Sequence, residues 1–128
     1  MASIFTRIIN GEIPCYKIAE NDKFFAFLDI NPLMKGHTLV IPKKETDYIF
    51  DIDDNDLAEM MLFAKQIAVR IKEVISCTKV GVAVIGLEVP HAHIHLVPMQ
   101  KEGDLDFKRP KLQLSQEEFL EIQNKLAF

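Results

Sequence analysis

Apolar and polar positions along the chain change period several times, and each period predicts an element. Ser3 precedes a short apolar run from Ile4 to Asn10, and Gly11 follows it. A hydroxyl cap in front and a glycine behind predict a brief helix. "YKIAEN" and "KFFAFLD" are two short strand-like runs joined by a polar turn at Asn21 and Asp22. "NPLMKG" opens on Asn31-Pro32 and closes on Gly36, which predicts a loop, and "HTLVIP" then resumes as a strand that Pro42 stops. From Asp54 to about Ile75, the residues Leu57, Met60, Met61, Ala64, Ala68, Ile71 and Ile75 recur at helical spacing, with Asp53 or Asp54 as cap. This is the main amphipathic helix. "KVGVAVIG" and "HAHIHLVP" read as the last two strands. Residues 99–114 look irregular, and Ser115 with Glu118 makes a capping box for a closing helix that buries Phe119, Ile122 and Leu126. The order helix, strands, long helix, strands, helix predicts an α+β domain with an antiparallel sheet rather than βαβ alternation.

Composition narrows the functional classes. The 128 residues predict one domain spanning 1–128. A net charge of −4 and a pI of about 5.5 argue against a broad basic surface for nucleic acid. Any anion must therefore be met by a local site. Cys15 and Cys77 are far apart and read as free thiols rather than a disulfide or redox pair. The N-terminal stretch lacks the apolar run of a signal peptide, and no segment approaches the ~20 apolar residues of a membrane span. The expectation is a cytoplasmic protein with no membrane partner.

The chemistry-bearing stretch is "HAHIHLVP", residues 91–98. Three of the four histidines fall there, at every second position. On a strand His91, His93 and His95 share one face, about 6.6 Å apart, while Ala92, Ile94 and Leu96 share the other. Three readings follow. The imidazoles line a solvated face; or they bind a metal, for which His37 is the one further histidine; or they handle a phosphoryl group. In the third, one ring is a nucleophile and a neighbour donates a proton or holds phosphate oxygens. Composition leaves the last two close.

"HAHIHLVP" resembles the pattern His-φ-His-φ-His-φ-φ, with φ apolar, that names the histidine triad (HIT) family. "IFTRIINGEIP", "FFAFLDINP" and "KGHTLVIPKK" are similar to the family's other landmarks, in the same order and at the same separations. The resemblance implies the HIT-like fold, an antiparallel five-stranded sheet with one long helix and short terminal helices. It also implies a twofold homodimer with one continuous sheet, and residues 99–128 as a variable C-terminal segment. In the family the central histidine attacks the α-phosphorus of a nucleotide and forms a covalent nucleotidyl-histidine; here that residue is His93. By the same resemblance His95 contacts phosphate oxygens, His91 positions the nucleophile, and His37 links to the proton relay. Asp29 takes the ribose hydroxyls, and Phe5, Ile8, Phe27, Leu28 and Ile30 fall in the blocks that wall the base. The implied activity is hydrolysis of a purine nucleotide adduct, such as a nucleoside phosphoramidate, with no cofactor and no metal in the chemistry. The alternatives are a dinucleoside polyphosphate hydrolase and a nucleotide-binding module with little catalysis.

Two departures from the family pattern change the picture. Before the triad the chain reads "VGVAVIGLEV": Gly86 survives, Leu87 stands where Gln is common, Glu88 where a hydroxyl residue is common, and Ala83 or Val84 in the region of an Asn. Glu88 thus borders the phosphate end, where it opposes an anion or faces a cationic leaving group. Many bacterial members carry a structural zinc; the matching positions here are Ser3, Thr6 and Glu45, poor substitutes for thiolates, so no structural zinc is expected. Lys108, Arg109 and Lys111 are candidates to reach distal phosphates, against the simpler reading of a solvated charged loop.

Overall fold

The structure, a computed structural model, describes residues 2–128. Its elements are α1 (Ile4–Ile9), β1 (Lys17–Glu20), β2 (Phe24–Leu28), β3 (Thr38–Pro42), α2 (Asp54–Val74), β4 (Lys79–Ala83), β5 (Ile94–Met99) and α3 (Gln116–Leu126). Short 3-10 turns lie at Ile49–Asp51 and Glu102–Leu105. The expected caps operate: Ser3 accepts from the Thr6 amide, Asp53 from the Asp56 amide, and Ser115 and Glu118 close a reciprocal box. Asn21 Oδ1 accepts from the amides of Lys23 and Phe24, which folds the β1–β2 turn.

The five strands form one antiparallel sheet in the order β1-β2-β3-β5-β4, the α+β architecture expected of the pattern. Alternation along the strands divides two apolar sets. Ile18, Phe24, Ala26, Leu28, Val40, Ile94 and Leu96 share a core with Met60, Phe63, Ala64, Ile67 and Ile71 of α2 and with Phe119, Ile122 and Leu126 of α3. Phe25, Phe27, Leu39 and Ile41 cluster instead with Phe5 of α1. Among the described residues, no helix is long and apolar enough to cross a membrane.

Three details differ from the sequence reading. The buried stripe of α2 steps through Met60, Phe63, Ala64, Ile67 and Ile71, so Phe63 and Ile67 join the core. Met61 is instead exposed beside Leu62, because one residue is ~100° of helical rotation. The expected strand at "HAHIHLVP" begins only at Ile94. The Ala92 amide donates to the Thr46 carbonyl, and the His91 amide to the Val89 carbonyl, so residues 91–93 lie outside the sheet ladder. The irregular segment after β5 is held by Asp104, which is buried and accepts from the amides of Gln100 and Lys101. Gly36 has φ +96°, a backbone conformation that any Cβ strains, and lies against the end of the Ile75 side chain.

Candidate functional site

A cavity of about 520 Å³ opens on the sheet face that carries Phe25 and Phe27, between α1, the ends of β2 and β3, residues 85–89 and the segment after β5. Phe5, Ile8, Phe27, Leu28, Asp29, Ile30, His37, Glu88, His93 and His95 all border it. Leu28 does so while belonging to the helix-side core. Glu88 and Leu87 sit exposed at the mouth, Leu87 almost wholly so. His91 is the exception among the expected residues. It lies behind the cavity wall, drawn there by the chain path before β5, and its ring bonds the Pro42 carbonyl.

All four imidazoles are buried, which overturns the solvated-strand reading. Their hydrogen bonds fix which nitrogen carries each proton. The Leu33 amide donates to His37 Nδ1 at 3.0 Å, so in the neutral ring the proton sits on Nε2. That N–H donates to His95 Nδ1 at 2.9 Å, which leaves the His95 proton on Nε2. Burial, reinforced by the neighbouring rings, lowers the pKa of His37 to about 3 and that of His95 to about 4. Both are therefore neutral near pH 7. His93 Nδ1 donates to the His91 carbonyl at 2.7 Å, so the Nε2 of the neutral ring carries a lone pair. The rings of His93 and His95 meet edge-on with centroids 4.9 Å apart.

Asp29 sits half-buried at the end of β2, where its Oδ1 accepts from the Asn31 amide at 2.8 Å. Burial pushes its carboxyl pKa up, against the lowering effect of that bond and of the charges of His93 and Lys111. Among the described residues, Asp29, His37 and His95 place ligand-type atoms within 4.8 Å of one another. A cation there must displace the proton shared by the two rings, since His37 Nε2 and His95 Nδ1 are already bonded.

The sequence reading missed Phe107, whose ring meets His95 at 4.7 Å and His37 at 6.3 Å between centroids. Nothing in the irregular run around it marks that residue. Cys15 and Leu39 also border the cavity unannounced. Of the three candidate cations only Lys111 reaches the cavity, its Nζ held by the carbonyls of Phe107 and Arg109. Arg109 pairs with Asp104 at 3.2 Å, and Lys108 is exposed.

Comparison with known proteins agrees with this geometry. The sequence model of the HIT domain matches residues 10–102. An uncharacterized HIT-like protein of Borreliella burgdorferi is 39% identical, over 97% of this chain and 95% of that protein. The adenosine 5'-monophosphoramidase of Schizosaccharomyces pombe is 32% identical, over 99% and 97%. Among solved structures, a zinc-bound histidine triad family protein from Mycobacterium smegmatis superposes with a TM-score of 0.80 at 30% identity, covering 98% of this chain and 94% of that one. With the HIT domain matched over residues 10–102 and all three triad histidines buried, two of them at the cavity wall, the chain belongs to the histidine triad family.

Proposed function

We propose that the protein is a nucleotidyl hydrolase that cleaves adenosine phosphoramidates at the α-phosphorus, with His93 as nucleophile. The observation that supports this reading best is the Nδ1–H of His93 bonded to the His91 carbonyl, which frees Nε2 as a nucleophilic nitrogen beside a cavity of nucleotide size. A relative at 32% identity carries the name adenosine 5'-monophosphoramidase, which favours the same class.

In the proposed reaction His93 Nε2 attacks the α-phosphorus and a new N–P bond forms. The P–N bond to the leaving group breaks with its electron pair on nitrogen. That nitrogen is protonated in the reactive form of a phosphoramidate, so it departs as a neutral amine. Water then attacks phosphorus, the His93–P bond breaks, and the nucleoside monophosphate leaves with one proton released to solvent. His95, neutral with its proton on Nε2, serves as a hydrogen-bond donor to a phosphate oxygen rather than as an acid. Asp29 accepts from the ribose hydroxyls, and Phe5, Ile8, Phe27 and Ile30 flank the base. Leu87 and Glu88 at the mouth favour an amine leaving group with an apolar body over a polyphosphate.

The test is a chase with adenosine phosphoramidate radiolabelled at the α-phosphate. The wild type should trap label on His93, and His93→Ala should lose turnover by about 10³-fold or more while still binding AMP. Turnover retained in that variant rejects the assignment. AMP binding with no labelled intermediate in the wild type favours the second reading, a binding module, which the apolar Leu87 position motivates.

We also propose a twofold homodimer. Met61, Leu62 and Val69 leave an exposed apolar face on α2, and Val82 lies exposed on β4, one of the two edge strands of the sheet. Sedimentation at micromolar concentration should find two chains, and a lone protomer rejects the dimer.

A further inference from the structure

A second polar cluster lies outside the cavity and joins α1 to the triad. One carboxylate oxygen of Glu45, Oε1, accepts from the Ser3 amide at 2.6 Å and from the Thr6 hydroxyl at 2.7 Å. The Ser3 hydroxyl lies 2.7 Å from His91 Nδ1. The Pro42 carbonyl can only accept, so His91 donates to it from Nε2 at 2.8 Å, and its Nδ1 accepts the Ser3 proton. Ser3 Oγ in turn accepts from the Thr6 amide as the α1 cap. These hydrogen bonds hold the Glu45 carboxyl at a pKa of about 2, an ionised acceptor over any working pH.

A histidine, a carboxylate and two hydroxyls converge here as a metal's ligands would, and the donor set does not fit zinc. Two of the side chains are neutral hydroxyls whose protons are already engaged. The carboxylate oxygen already takes two short hydrogen bonds, and the His91 nitrogen is paired. What remains is a closed hydrogen-bonded circuit.

We propose that Ser3, Thr6, Glu45 and His91 form a metal-free clasp that positions the nucleophile, and that Glu45 is its anchoring residue. The inference rests on His93 being that nucleophile. The α1 helix has six residues, far too few to persist without tertiary anchors. It carries Phe5, whose ring stands edge-on to His93 with centroids 5.0 Å apart and to His91 at 5.7 Å. His93 lies outside the sheet ladder, so its ring is oriented by the bond to the His91 carbonyl, the Phe5 edge and the His95 ring. The clasp grips the source of the first two. Ser3 holds the His91 ring, and Glu45 holds the first turn that delivers Phe5.

The experiment compares wild type, Glu45→Gln and Glu45→Ala. Three quantities are followed: kcat and KM for adenosine phosphoramidate, the single-turnover rate of His93 labelling, and the ring 15N signals of His91 and His93. Gln retains a carbonyl oxygen for both donors, so Glu45→Gln should stay within about threefold of wild type, whereas Glu45→Ala should lose roughly 10-fold or more in kcat and in labelling rate, with the circular dichroism unchanged. In Glu45→Ala the His93 signals should broaden or split between tautomers. An unchanged kcat and unchanged ring signals in Glu45→Ala overturn the clasp. So does stoichiometric zinc in wild-type protein purified without added metal, or Gln behaving as badly as Ala. If wild type itself never labels His93, the catalytic reading fails. The ring signals of His91 and His93 then decide the clasp alone.

Discussion

The buried neutral histidines make a definite statement about acid stability. His37 is 1% exposed and His95 7%, and their pKa values fall from an ordinary 6.5 to about 3 and about 4. Well above pH 6.5 neither folded nor unfolded chain protonates these rings, so they contribute no pH dependence. As pH falls through 6.5 the unfolded chain takes up protons that the folded chain refuses, and stability drops. At pH 5 an unfolded imidazole is almost fully charged, which gives a loss of about 2 kcal/mol per ring and roughly 4 kcal/mol for the pair relative to pH 7.5. His91, lowered mainly by burial, works in the same direction. Asp29 works against it, because its raised carboxyl takes up a proton in the folded state before the unfolded state does. Urea unfolding followed by far-ultraviolet circular dichroism at pH 7.5, 6.5, 5.5 and 5.0 measures the net slope, and the chain has no tryptophan to report instead. His37→Gln should remove one ring's share, about 2 kcal/mol, from the change between pH 7.5 and 5. Stability that is level or rising as pH falls from 6.5 to 5 refutes the assignment of neutral rings.

Gly36→Ala should destabilise the fold by about 1–3 kcal/mol, since the new Cβ must sit at φ +96° and against Ile75; urea midpoints check this, and an unchanged midpoint refutes it. Phe107→Ala should admit water to His95 and raise its pKa toward the ordinary value, with kcat reduced roughly 10-fold, as NMR titration and steady-state assays will register. An unmoved His95 titration refutes the shielding role of that ring.

The elements were readable because periodicity and capping are local. Ser3, Asp53 and Ser115 announce the helices they cap, and "KFFAFLD" and "HTLVIP" show strand composition whatever they pack against. The triad was readable for the same reason, being written in five consecutive residues. What escaped depends on how distant segments meet. Phe107 reaches His95 only because Asp104 folds the segment after β5 back on itself, and no spacing rule reports such a contact. His91 was placed on one strand face with His93 and His95 because alternation assumes a strand. The ladder starts three residues later, at Ile94, while Ala92 gives its amide to the Thr46 carbonyl. On α2 the periodic set was found, yet Met61 and Phe63 differ only in azimuth. That choice is made by the sheet underneath.

Leu33 shows how the scaffold can decide chemistry through a backbone group that, among substitutions, only proline removes. Its side chain lies wholly inside the protein, while its amide points at His37 Nδ1. An amide has only a hydrogen to give, so it sets the polarity of the whole His37–His95 line, and the far end always presents N–H. A ligand group at that end must bring electron pairs. Oxyanions qualify, and ammonium or amide N–H groups are turned away by the same fixed dipole. Ligand choice at the triad is thus partly set by one peptide unit in a turn that does not itself border the cavity.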